Sequence, residues 1–271
     1  MPIKVPSKLP AKKQLEVEQV QLISSDTALR QDIRPMKVLL LNLMPRKRDT
    51  EIQFARLLGN SPLQIELTLM TTASYQPKNE ETTYLNEFYY TLDEIKNNFY
   101  DALIITGAPV ETLPFEEVAY WKELVNIIKW SDTHVFQRVG ICWGAQALLY
   151  HQFQIQKYKL ENKIFGIYSH QINQAKLRLM QGFTDNFPMP VSRHTETKIS
   201  DIKEYLQFDI LAYSERAGIG MIINNNNDDF FIFNHLEYDF DTLHKEYQRD
   251  LNTNQKILMP ENYYPENNIK N

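Results

Sequence analysis

Gly140-Ile-Cys142-Trp-Gly144 sets the only cysteine of the chain between two glycines. A thiol in that spacing can act as a nucleophile if it stands on a tight strand-to-helix turn. Such an elbow needs glycines beside the reactive residue because its backbone is strained and passes close to its neighbours. The turn lifts the side chain above the sheet edge and aims the first amides of the following helix at the carbonyl under attack. Those amides, with the helix dipole, favour negative charge on sulfur and on a developing oxyanion. The competing reading is a buried structural cysteine, since free Cys is among the most buried residue types. The two glycines, at the end of an apolar run, favour the nucleophile.

A nucleophilic thiol needs a base. Six histidines are available, at 134, 151, 170, 194, 235 and 244. His235 has the best context, because it ends an apolar segment (DFFIFNH) and is followed by Glu237. A histidine leaving a strand end lies on the same sheet edge as an elbow cysteine, and a carboxylate two residues on can fix its tautomer. Taken alone, His-x-Glu could be an idle surface pair; beside the elbow it completes a Cys142, His235, Glu237 triad. His134 and His151 lie on or beside helices and read as packing or surface residues. No His, Asp and Glu set has metal-ligand spacing, and no G-x-G-x-x-G or P-loop is present, so neither a metal nor a bound cofactor is expected.

The elements that must hold these residues follow from the apolar pattern. Met36 to Leu43 is a continuous apolar run between Pro35 and Pro45, the mark of a strand buried on both faces. Helical spacing follows over Thr50–Leu58, with Asp49 or Thr50 as cap and Gly59 as stop. Strands are predicted at Leu63–Met70, Asp101–Thr106 and Val135–Cys142, and helices over Phe115–Trp130 and Trp143–Phe153. Further strands are expected at Lys163–Ile167, Phe208–Tyr213, Ile219–Ile223 and Asp229–Asn234, with Asn224–Asp229 as a hairpin tip. The alternation implies βαβ units, hence an α/β protein with a mainly parallel sheet flanked by helices and its ligands beyond the carboxyl ends of the strands. Residues 1–34 read as a polar arm with an amphipathic piece at Leu15–Ile23, 35–252 as the catalytic domain, and 253–271 as a polar, Asn-rich tail.

Composition narrows the class. A chain of 271 residues can bury a substantial core, and its 15 Tyr and 14 Phe argue against disorder. A net charge of −5 offers no basic footprint for nucleic acid or an anionic membrane. One cysteine excludes an intramolecular disulfide and a Cys-rich zinc site. The start lacks the apolar stretch of a signal peptide, and no run approaches the roughly 20 apolar residues of a spanning helix, so a cytoplasmic protein is expected.

Gly140 to Gln146 as G-x-C-x-G-x-Q, with His235 and Glu237 as H-x-E, resembles the class I glutamine amidotransferase-like (flavodoxin-like) fold. Within it the chain resembles the homoserine O-acyltransferase family. The segments that carry this are RQDIRPMKVLLLNLMP (Arg30–Pro45) with Lys47, TEIQFARLLGNSPLQIELTL (Thr50–Leu69), ITGAPVE (Ile105–Glu111), FEEVAYW (Phe115–Trp121), ICWGAQA (Ile141–Ala147), PVSRHTE (Pro190–Glu196) and FNHLEYD (Phe233–Asp239).

The resemblance implies a two-step transfer. Cys142 takes an acyl group from an acyl-CoA as an enzyme thioester, and a side-chain hydroxyl deprotonated by His235 then accepts it. It implies that Lys163, Ser192 and Arg249 hold the amino acid acceptor, and that Lys47 serves the site, a solvated lysine in PRKRD being the simple alternative. Glu111, after G-A-P-x, falls where the family separates acetyl from succinyl donors, glycine going with succinyl. A carboxylate there would repel the carboxylate of a succinyl group, so acetyl-CoA is the expected co-substrate. The family also implies a homodimer acting on small molecules. Two departures stand out. Arg46 replaces a usual asparagine, and the chain stops at Asn271, where members continue past the equivalent of Asn262-Tyr-Tyr-Pro265. L-homoserine is the expected acceptor, for methionine synthesis. L-serine, for cysteine synthesis, is the alternative, because one methylene in a pocket is worth only about 1–3 kcal/mol. A glutaminase-type cysteine hydrolase fits the elbow and triad but gives Glu111 and the N-terminal motif no role.

Overall fold

A computed structural model describes residues 3–6, 8–23, 34–74, 82–173, 178–252 and 257–267. Residues 30–33 of the N-terminal motif, and 253–256 and 268–271 of the expected tail, lie outside the described residues. The chain forms two compact units, one of Met1–Pro109 with Pro114–Val139 and one of Val110–Leu113 with Gly140–Asn271.

The first unit carries the parallel sheet. Its strands are β1 (Ile3–Lys4), β2 (Leu22–Ile23), β3 (Met36–Leu41), β4 (Ile65–Met70), β5 (Tyr89–Tyr90), β6 (Tyr100–Ile105) and most of β7 (Val135–Ile141). The order is β2-β1-β4-β3-β6-β7, with β5 paired to β4. The described pairs among β1 to β6 are all parallel. Leu39, Leu40, Leu41, Leu103 and Ile105 are fully buried, as an apolar run shielded on both faces should be. The connecting helices are α1 (Ala11–Val17), α2 (Lys47–Gly59), α3 (Thr82–Phe88), α4 (Leu92–Ile95) and α5 (Trp121–His134). The stretch read as an arm therefore holds β1, α1 and β2.

Two helix boundaries differ from expectation. α2 begins at Lys47 with Arg46 at the cap position, so Asp49 sits in the first turn, where it complements the helix dipole instead of capping it. Gly59 is the last helical residue, and a Cβ there would lie 2.7 Å from Val20 Cγ1, so close packing of the chain selects this glycine. Phe115–Trp130 is not one helix: Phe115–Glu117 forms a 3₁₀ turn, Val118 is extended, and α5 starts only at Trp121.

The second unit holds α6 (Trp143–Phe153), β8 (Tyr158–Ile172), β9 (Asn186–Glu196), α7 (Ile199–Lys203), β10 (Phe208–Ser214), β11 (Gly218–Asn224), β12 (Phe230–Ile232) and α8 (Thr242–Asn252). Its strands run in the order β12-β11-β10-β8-β9, with antiparallel pairs throughout. Short links enforce this between β10 and β11 and between β11 and β12, because strands joined by tight turns can only fold back on each other. The Asn224–Asp229 tip is such a turn: Asn224 N–H donates to Asp229 O at 2.9 Å, Asn226 N–H to Asn224 Oδ1 at 3.0 Å, and Asp228 has φ of 59°.

Candidate active site

Cys142 stands between the end of β7 and the start of α6 with φ 50° and ψ −115°, a left-handed conformation costly for a residue with a Cβ. The structure holds it there. Its N–H donates to Ile232 O at 2.7 Å, and its own carbonyl accepts from the Ala145 and Gln146 amides at 3.1 and 3.3 Å, starting the helix. Gly140 makes the turn possible: a Cβ on it would lie 2.5 Å from Ala145 Cα and 2.7 Å from Ala145 N. The first glycine of the motif is thus explained by one backbone contact. Gln146, the last residue of the motif, faces β9, where its Oε1 accepts from Thr195 Oγ1 at 3.0 Å.

His235 follows β12, buried, with its N–H donating to Pro190 O at 3.0 Å. Nδ1 donates to Glu237 Oε1 at 2.7 Å, and the Cys142 side chain lies within electrostatic reach of the ring. The order is sulfur, imidazole, carboxylate, as acid-base catalysis by a triad requires. Burial alone would push the His235 imidazolium down. The negative charges of Glu237 and Cys142, and the hydrogen bond to Glu237, outweigh that and hold it well above the usual histidine range. Tyr238 stacks on the imidazole with ring centroids 4.2 Å apart and 19° between planes, closing one face of the ring.

Tyr238 also connects this triad to a cluster of charges. Its hydroxyl donates to Glu246 Oε1 at 2.7 Å, and Ser192 Oγ donates to Glu246 Oε2 at 2.6 Å. Lys163 Nζ lies 4.0 Å from Glu246 Oε2 and 3.0 Å from Asp250 Oδ2, and Arg249 Nη2 lies 2.8 Å from Asp250 Oδ1. Burial opposes ionisation of Asp250, but Lys163 and Arg249 more than offset it and hold its carboxyl below the ordinary range. Two cations and two carboxylates therefore balance. Lys163, Ser192 and Arg249 come together through Glu246 and Asp250. Glu246 and Asp250 join them from α8 and are absent from the sequence reading; their i, i+3 and i, i+4 relation to Arg249 and Glu246 on an amphipathic helix was the available signal.

Glu111 belongs to the same unit. Its Oε2 accepts from the His194 N–H at 3.2 Å, and the Lys157 ammonium donates to the backbone carbonyls of Glu111 and Leu113, pinning the segment. Burial raises its carboxyl above the normal range against the pull of the His194 amide, Lys163 and His235. The last two place Glu111 within the field of both triad and cluster.

Lys47 is placed differently. It lies in the first unit, buried at the start of α2, where Nζ donates to Asn42 O at 2.5 Å and sits 5.2 Å from the Tyr89 ring centroid. It is not a solvated lysine. Around it Glu51 accepts from the hydroxyls of Tyr84 at 2.6 Å and Tyr89 at 2.5 Å. Among the described residues no group of His, Cys, Asp and Glu could hold a metal ion, and no helix is long and apolar enough to cross a membrane.

Comparison with solved structures gives the fold class. A glutamine amidotransferase from Thermotoga maritima aligns with a TM-score of 0.57 over 82% of this chain and 86% of its own, at 14% identity. One from Methylobacillus flagellatus aligns with 0.53 over 86% and 81%, at 12% identity. The chain is an α/β protein with a glutamine amidotransferase-like fold. Sequence comparison gives the family. The family model described as homoserine O-succinyltransferase (HTS) matches residues 2–271. The homoserine O-acetyltransferase of Lachnoclostridium phytofermentans is 49% identical over 98% of this chain and 88% of its own. Those of Clostridium acetobutylicum and Geobacillus kaustophilus are 47% and 45% identical over 98% of this chain, and over 89% and 88% of their own. The chain belongs to the homoserine O-acyltransferase family.

Proposed function

We propose that this chain moves an acetyl group from acetyl-CoA to the side-chain hydroxyl of L-homoserine through a thioester on Cys142. The observation that carries this reading is one connected set of residues, from an elbow cysteine through His235 and Tyr238 to a charge-balanced cluster of Lys163, Arg249, Glu246 and Asp250. Cys142 sulfur adds to the thioester carbonyl of acetyl-CoA, and the amides at the start of α6 stabilise the oxyanion. Coenzyme A leaves as its thiol, with the proton supplied by the His235 imidazolium. The acetyl group now sits on sulfur, and His235 is neutral.

Homoserine then enters the cluster. Arg249 and Lys163 pair with its carboxylate, Glu246 takes its ammonium, and Ser192 contributes a hydrogen bond. Its hydroxyl gives a proton to His235 and its oxygen attacks the acetyl carbonyl, expelling the Cys142 thiolate. Glu237 holds the imidazole in one tautomer throughout and stabilises its charged form. Glu111 selects the donor, because its carboxylate disfavours a succinyl carboxylate in the same space. Lys47 orders the end of β3 through Asn42.

Initial rates with acetyl-CoA and either L-homoserine or L-serine, alongside glutamine hydrolysis, test the reading. The expected result is O-acetylhomoserine formation with ping-pong kinetics and a homoserine preference of about tenfold or more, as one methylene can provide. A preference for serine would replace the acceptor, and glutamine hydrolysis without acetyl transfer would overturn the assignment.

A further inference from the structure

Beneath His235 lies a buried polar group of residues that the transfer chemistry does not use. Arg193, on β9, is almost fully buried. A buried guanidinium is expected to sit on a carboxylate, because an unpaired buried charge is costly. Arg193 forms no ion pair among the described residues. It donates instead to neutral oxygens: Nη1 to Asn234 Oδ1 at 3.0 Å and to the carbonyls of Ile219 and Phe233 at 3.4 Å each, and Nη2 to the carbonyl of Ala217. Its Nε–H has no hydrogen-bond partner among the described residues. The carboxyl groups of Glu196 and Glu111 reach it only through their field.

Two of its acceptors, Phe233 and Asn234, are the residues immediately before His235. Asn234 is held from the other side as well. Its Nδ2 donates to His170 Nε2 at 2.9 Å, while His170 Nδ1 donates to Tyr168 O at 2.9 Å. The two contacts fix the amide orientation of Asn234 and the tautomer of His170 together. Burial holds His170 at about 4, so the ring stays neutral and keeps accepting. Gly220 leaves room for this arrangement: a Cβ there would meet Met189 Cε at 2.4 Å, His170 Cδ2 at 2.7 Å and Asn234 Nδ2 at 3.2 Å.

We propose that Arg193 is a positioning residue for His235 beside Cys142, locking the strand end that carries His235 through Asn234 and the Phe233 carbonyl. The proposal rests on the reading of Cys142 as nucleophile and His235 as base. Arg193→Lys loses the fork, Arg193→Met loses every hydrogen bond of the side chain, and Asn234→Ala breaks only the link through Asn234.

Cys142 is the only cysteine, so alkylation by iodoacetamide reports its reactivity without interference and without any acyl transfer. In folded protein at neutral pH, Arg193→Met is expected to lower both the alkylation rate and kcat by about tenfold or more, with the homoserine KM within about twofold. Arg193→Lys and Asn234→Ala, which each break part of the lock, should lower both by a smaller factor, again with the homoserine KM within about twofold. If Arg193→Met does not fold, the other two variants decide. Alkylation and kcat within about twofold of the parent in folded variants would overturn the proposal. So would losses that merely track the folded fraction. Failure of the functional reading would look different: the parent would alkylate but transfer no acetyl group.

Discussion

The triad and the acceptor cluster lie side by side in one unit, yet they are built in opposite ways. Cys142, His235 and Glu237 come from two short segments: a strained elbow and a strand-end amide fix the backbones of the first two, and the Glu237 carboxylate bonds the imidazole two residues before it. The cluster takes Lys163 from β8, Ser192 from β9 and Glu246, Arg249 and Asp250 from α8, and it holds itself together by pairing its own charges. The first is ready before substrate arrives. The second must exchange internal partners for those of a ligand. Mutations in the triad should therefore act on kcat, and mutations in the cluster on KM.

Removing the base tests the first half. His235→Asn should lower kcat/KM by about 10³–10⁴-fold, and Glu237→Gln by about 10²-fold or more, since the imidazole loses the partner that sets its tautomer. Comparable losses in homoserine KM instead of kcat would erase the distinction between the two regions. Breaking the cluster is the complementary test. Arg249→Met and Glu246→Gln should each raise the homoserine KM about 10–100-fold, the worth of one or two charge-assisted hydrogen bonds, with kcat changed only a few-fold. Steady-state kinetics with homoserine varied reads both.

A smaller effect is expected at Glu111, which borders both regions. Glu111→Gly should raise succinyl-CoA turnover about tenfold relative to acetyl-CoA by removing repulsion and opening space. No gain when initial rates with both donors are compared would exclude Glu111 as the donor selector. The smallest effect is on stability. The His235 imidazolium is held above its unfolded value of about 6.5, so its pairing with Glu237 stabilises the fold fully below that pH and is lost as pH rises through the raised folded value. The thermal midpoint should therefore decline on the alkaline side by a few degrees, and Glu237→Gln should flatten that decline. Equal slopes in the two proteins would deny the pair any role in stability.

The same contrast explains what the sequence revealed. The elbow was legible because one local requirement, no Cβ at Gly140, leaves a fixed spacing around Cys142. His235 and Glu237 were legible because they are two residues apart at the end of an apolar strand. The parallel strands of the first unit also read well, being continuous apolar runs. β9 was hidden by Pro188 and Pro190, which usually argue against a strand. α8 was hidden because its sequence, TLHKEYQRDLN, is almost wholly polar, and its buried side includes Asp250. Arg193 could not be found from spacing at all, since its role depends on a partner 41 residues away, and Glu246 offered only its i, i+3 relation to Arg249, its tie to Ser192 spanning 54 residues. Lys163, Ser192 and Arg249 were placed by resemblance to a family, not by any pattern of their own.

The most direct test of covalent catalysis is the mass of the protein after brief exposure to acetyl-CoA without acceptor. One acetyl group should appear on the peptide containing Cys142, disappear on addition of L-homoserine with release of O-acetylhomoserine, and never form in Cys142→Ala. Turnover with no acetyl group on Cys142, or product formation by Cys142→Ala at the parent's rate, would contradict it.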